Sequence, residues 1–131
     1  MNNLIKILVI CFLPLAGFAQ TIGYDLDKNR CNKAAGMTFS KIKNECVQPF
    51  NQPIMVQSLD DGTKSYSTQT PLIFNEDKSK VEVFLPDSNK SLILKRSKKD
   101  PTTWKKSGVQ VKEDGNSYQV HQKGKLIYQS A

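Results

Sequence analysis

The chain has 131 residues, enough for one domain, with 38% hydrophobic and 24% charged residues. That is the composition of an ordinary globular domain, and it excludes collagen-like repeats, low-complexity disorder and a multi-span membrane protein. Nineteen Lys and Arg against twelve Asp and Glu give a formal charge of +7, which favours an anionic partner.

Residues 1–19 read as a secretory signal. Lys6 supplies a short positive region, Ile7–Leu15 is almost wholly apolar, and Gly17-Phe18-Ala19 puts small residues at the −3 and −1 positions of a cleavage site. The apolar run is too short to span a bilayer comfortably. An uncleaved N-terminal anchor is the other reading of these residues. Cleavage leaves a single exported domain, 20–131, with no transmembrane span, in the periplasm or on the surface of a bacterium.

Cys11 falls inside the leader, so Cys31 and Cys46 remain as a pair. An even pair in an exported chain points to a disulfide closing a short loop. Such a loop adds about 3 kcal/mol in the chain-entropy account. Two free thiols or half a metal site is the alternative. With His121 as the only histidine, a four-ligand zinc site is disfavoured, and nothing else in the chain implies a metal or a cofactor.

In residues 20–50, Tyr24–Ala35 has the character of a short helix. Asp25 or Asp27 can cap it, Ala34 and Ala35 favour it, and Gly36 suits its C-terminal cap. Thr38–Ser40 and Cys46–Gln48 are extended pieces around a turn at Lys43-Asn44-Glu45. From residue 53 to 131 the pattern becomes a meander of short strands with turn signals about every ten residues. The strands are expected at Ile54–Leu59, Lys64–Thr68, Leu72–Phe74, Val81–Leu85, Leu92–Leu94, Thr102–Lys105, Val109–Lys112, Tyr118–Gln122 and Leu126–Tyr128. The fold class is therefore mainly β: an antiparallel barrel or sandwich with a disulfide-stapled N-terminal helix and hairpin.

Catalytic patterns are missing. There is no Gly-x-Ser-x-Gly elbow, no His-Glu-x-x-His pair, no phosphate-binding glycine loop and no Cys-x-x-Cys pair. Any triad would have to be built on His121. The acidic pairs Asp60-Asp61, Glu76-Asp77 and Glu113-Asp114 sit in turns, and turn chemistry explains them. The reading is a non-enzymatic protein. Positive charge is concentrated from Lys78 onward, in Lys95-Arg96, Lys98-Lys99, Lys105-Lys106, Lys112, Lys123 and Lys125. Lysines far outnumber arginines there, and arginine is the preferred bidentate phosphate reader. Together with export, this argues against a nucleic-acid partner.

Two stretches, Lys106-Ser107-Gly108-Val109-Gln110-Val111 and His121-Gln122-Lys123-Gly124-Lys125-Leu126, resemble the bacterial envelope inhibitors of c-type lysozyme. That family is built on small exported antiparallel β-barrels with a Ser-Gly-x-x-Tyr loop and a later Lys-Gly turn. The resemblance covers about the last 60 residues. It implies that Ser107, Gly108, Lys123 and Gly124 form an inhibitory edge whose hydroxyl and ammonium meet the catalytic carboxylates of a wall hydrolase. Val111 stands where the family has Tyr, and the Cys31–Cys46 segment lies outside the family pattern. Trp104 and Tyr118 are candidates either for aromatic anchors of that edge or for packing in the barrel. Because c-type lysozymes are commonly basic like this chain, the expected target is a more acidic hydrolase, such as a toxin delivered by a rival, which would make this an immunity protein. The competing expectation is a basic module that docks an anionic polymer such as lipopolysaccharide or a wall glycan.

Overall fold

The computed structural model describes residues 26–59, 68–86, 88 and 90–130. The signal and the first four residues of the strand expected at Lys64–Thr68 lie outside the described residues. The described chain is mainly β, and every strand pairing in it is antiparallel. A two-stranded hairpin, β1 (Thr38–Ser40) and β2 (Glu45–Val47), precedes eight further strands: β3 (Met55–Ser58), β4 (Gln69–Phe74), β5 (Lys80–Val83), β6 (Leu92–Arg96), β7 (Thr103–Lys106), β8 (Val109–Asp114), β9 (Ser117–Gln122) and β10 (Lys125–Gln129). Strands β3 to β10 pair in chain order, and β10 returns to β3, closing a barrel. Closure leaves the barrel without a bare edge, and an eight-stranded barrel is just wide enough for side chains to fill.

Alternation along each strand decides what fills it. Val56, Leu72, Val81, Val83, Leu94, Trp104, Val109, Val111, Tyr118, Val120 and Tyr128 form one buried cluster. The later connections are tight. Ser107 (φ 52°) and Gly108 (φ 78°) join β7 to β8, and Lys123 (φ 51°) and Gly124 (φ 78°) join β9 to β10. Positive φ at both central residues is the pattern of the type I′ turn, whose twist matches that of the flanking strands. β8 and β9 are joined by Gly115-Asn116.

The N-terminal segment forms a cap on the outside of the barrel. The Cys31–Cys46 disulfide is present, with Cα atoms 5.5 Å apart, and ties the segment to β2. The helix expected over Tyr24–Ala35 begins outside the described residues, and from Leu26 onward it is much shorter than expected. Leu26 and Asn32 form an isolated antiparallel bridge, and only Lys33–Ala35 is helical, as a single 3-10 turn. The Asp27 carboxylate accepts the backbone N–H groups of Asn29 (2.8 Å) and Cys31 (2.9 Å). Asp and Asn side chains offer the backbone a turn in place of a helix, and that competition wins here.

The cap is locked down by a buried carboxylate. Glu82 faces outward from β5 and is wholly buried. Its Oε1 accepts the Ser40 hydroxyl (2.6 Å), and its Oε2 accepts the Lys41 backbone N–H (2.8 Å) and the Ser91 hydroxyl (2.5 Å). A buried carboxylate is tolerable only when its lone pairs are taken up in this way. The second 3-10 turn, Pro49–Asn51, packs on β4, where Pro71 and Ile73 are buried on the outer face.

Candidate functional site

The antiparallel order assigns every connection to one of two barrel ends. Val109 on β8 lies opposite Gln122 on β9, so the turn before β8 and the turn after β9 are coterminal. They also touch: the Lys123 N–H donates to the Gly108 carbonyl at 2.9 Å. Ser107, Gly108, Lys123 and Gly124 are all exposed. A Cβ added at either glycine would meet nothing within 4 Å, so open solvent faces both turns. Lys106 and Lys125 flank them, also exposed. Among the described residues the only ion pair is Lys78–Glu113, so none of these three ammonium groups pairs with a described carboxylate. Four of the sequence-derived site residues are thereby brought together.

Trp104 and Tyr118 are not with them. Trp104 is 0% exposed and Tyr118 is 6% exposed, and both close the other end of the barrel. The role of surface anchor is corrected accordingly: these rings have almost no surface to offer a partner. Phe74 packs edge-on against Trp104 (centroids 5.1 Å apart) and tilted against Tyr118 (5.3 Å). The Trp104 indole N–H donates to the Lys78 carbonyl at 2.8 Å. The Lys78 ammonium donates to the Tyr118 hydroxyl at 2.9 Å and lies 3.4 Å from Glu113 Oε1. The hydrogen bond to Tyr118, with Glu113 beside it, raises the Lys78 pKa above the ordinary 10.5. The Arg96 guanidinium stacks 5.4 Å from the Trp104 ring centre. Burial of this aromatic cluster beneath cationic stems is a packing device.

His121 lies on the outer face of β9. Its Nδ1 is buried and lacks a hydrogen-bond partner. Burial, with the Lys112 charge adding to it, lowers its pKa below the ordinary 6.5. Among the described residues, no three His, Cys, Asp or Glu side chains are grouped as a metal site would need, and no helix is long and apolar enough to cross a membrane. A groove of about 620 Å³ lies between the cap and the β5–β6 connection, with Asp27, Lys28, Lys33, Lys41 and Lys90 among its lining residues.

Comparison with protein-family models, curated proteins and solved structures gives no match. The resemblance to the lysozyme inhibitors therefore rests on its residues alone.

The pairing of the two turns had a readable signal. Ser107-Gly108, Gly115-Asn116 and Lys123-Gly124 recur every eight residues. Two-residue hairpins alternating with six-residue strands force the first and third turns to one end.

Proposed function

We propose that the protein binds a peptidoglycan hydrolase outside the cytoplasm, in the periplasm or at the cell surface, and blocks it by occupying its cleft, without catalysis of its own. The observation supporting this is the contact between the Ser107–Gly108 and Lys123–Gly124 turns at one exposed barrel end, held by the Lys123 N–H to Gly108 carbonyl bond. A glycosidase works with two carboxylates facing each other across a cleft. A hydroxyl and an ammonium on neighbouring rigid turns form a complementary pair of donors, and charge-assisted bonds made in a desolvated cleft are strong. The exposed lysines at that end, which pair with no described carboxylate, favour an acidic target, whether a lysozyme-like enzyme or a delivered toxin.

The test is lysis of peptidoglycan by a panel of lysozymes and bacterial wall hydrolases, with and without the purified protein. The expected result is inhibition of one class of hydrolase, lost in Lys123→Ala, whose side chain is exposed and whose removal leaves the fold intact. Inhibition that survives Lys123→Ala would remove the site assignment, and inhibition of no hydrolase would remove the reading.

A second reading is favoured by a separate observation. The half of the chain from Lys78 onward is strongly basic, yet the described residues contain one ion pair. Charge left uncompensated in this way suits docking on an anionic envelope polymer, and such binding should collapse as salt is raised. Cleft insertion should survive the same salt.

A further inference from the structure

The strand register lines up lysines on the outer wall. Lys80 on β5 lies directly opposite Lys95 on β6, and Lys95 lies directly opposite Lys105 on β7. Residues directly opposite in an antiparallel pair have Cβ atoms about 5 Å apart, and like charges so placed are destabilising. A sheet selected for stability alone would put acidic residues at alternate positions of this row. The row continues to Gln110 on β8 and His121 on β9, and Lys112 lies diagonal to Lys105.

Among the described residues no carboxylate forms an ion pair with the row, and Asp100 alone is near enough to feel the charge of one of its lysines, Lys105. Glu82, on the same strand as Lys80, is buried under the cap and held by three donors. Asp100 accepts from Thr102 and Thr103. Asp114 lies beyond Lys112, at the β8–β9 turn. Among the described residues, none of them forms an ion pair with a lysine of the row.

The row is oblique to the barrel axis. Lys80 begins β5, at the end closed by the aromatic cluster. Lys105 and His121 each stand two residues before the exposed turns at Ser107 and Lys123. The track therefore climbs from the closed end and finishes beside the two turns.

We propose that Lys80, Lys95 and Lys105, continued by Gln110 and His121 and flanked by Lys112, form the docking track of a linear anionic glycan. The inference rests on the polymer reading above and gives it a location. Ammonium groups are point charges and accept carboxylates or phosphates in varied orientations, unlike the planar guanidinium fork. The one arginine nearby, Arg96, is stacked on Trp104. Gln110 and His121 set an amide and an imidazole beside the cations to bond sugar hydroxyls. No Phe, Tyr or Trp projects outward from β5 to β9, so the wall lacks the stacking platform that single-stranded nucleic acid uses.

The test is binding of the purified protein to polygalacturonate and heparin, one carboxylated and one sulfated, at about 50 mM salt, where charge-driven binding is strong. A variant carrying Lys80→Gln, Lys95→Gln and Lys105→Gln is compared with one carrying Lys28→Gln, Lys33→Gln and Lys43→Gln on the cap, which loses the same charge elsewhere. The row variant is expected to bind at least about tenfold more weakly with a shallower salt dependence, and to melt no lower than the parent because cross-strand repulsion is relieved. The cap variant is expected to bind like the parent. Binding of neither glycan by the parent overturns the polymer reading and the track together. Parent binding that the row variant retains, or that both variants lose equally, leaves the polymer reading standing and overturns the track. Tighter binding of a thymidine oligonucleotide or of phosphatidylglycerol vesicles, lost in the row variant, overturns the glycan as occupant.

Discussion

The two ends of the barrel are built on opposite terms. One is shut: Phe74, Trp104 and Tyr118 interlock, and Lys78 bridges Tyr118 and Glu113 above them. Its tyrosine hydroxyl, indole N–H and lysine ammonium find partners inside the protein, and the buried Arg96 Nε alone among these groups does not. The other end carries two-residue turns with bare glycines, a hydroxyl and ammonium groups with no partner among the described residues, and a backbone bond from Lys123 to Gly108 between the turns. Cohesion is concentrated at the first end and unsatisfied binding capacity at the second. A closed barrel permits this division, because the continuous ladder holds both ends in register whatever decorates them.

The largest test of that contrast is Trp104→Ala. Removing a fully buried indole, with its bond to the Lys78 carbonyl, should cost about 3–5 kcal/mol, read as a drop in the denaturant midpoint. A loss under about 1 kcal/mol would mean that the closed end is not where the cohesion lies. At the other end the sign reverses. Ser107 and Lys123 hold positive φ (52° and 51°), a conformation that costs an L-residue roughly 1–2 kcal/mol. Ser107→Gly or Lys123→Gly should therefore raise stability by up to about 1 kcal/mol, part of the strain relief being returned as glycine's extra chain entropy. Lys123→Gly should abolish hydrolase inhibition in the same preparation. A variant that lost stability along with inhibition would break the separation between the two ends.

The smallest effect concerns pH. The His121 pKa is lowered in the folded chain, first by burial and then by Lys112. Its contribution to stability is complete above the unfolded value of 6.5 and is lost as the pH falls through the lowered native value. Unfolding midpoints measured from pH 7.5 to 5 should fall for the parent by under about 1 kcal/mol more than for His121→Gln. Equal slopes would show that the imidazole is not held neutral.

Much of this architecture was legible in the sequence. Alternation in Val81, Val83 and Leu85 and in Tyr118 and Val120, with turn residues at short intervals, gave the strands, and the cysteine count gave the disulfide. The N-terminal helix was over-read because Asp27 and Asn32 serve a bridged turn as readily as a helix cap. Trp104 among lysines stayed open between surface anchor and barrel packing, because the face a strand residue takes depends on where its strand enters the sheet, which alternation in the short β7 does not define. The lysine row was invisible for a related reason: residues 80, 95 and 105 become neighbours only once three strands are set in register.

The seam between β10 and β3 has a kinetic consequence. Every other barrel pairing joins strands consecutive in the chain, whereas Tyr128–Ser58 and Gln129–Gln57 join opposite ends of the domain through a short contact. Local pairs form early because little chain entropy is lost in closing them, and the long-range closure is met last. The hairpins from β7 to β10 should zip first, with the seam closing around a sheet already assembled. By the same reasoning the seam is where the native barrel should open first, and the amides of β3 and β10 should exchange with solvent ahead of those in β8 and β9.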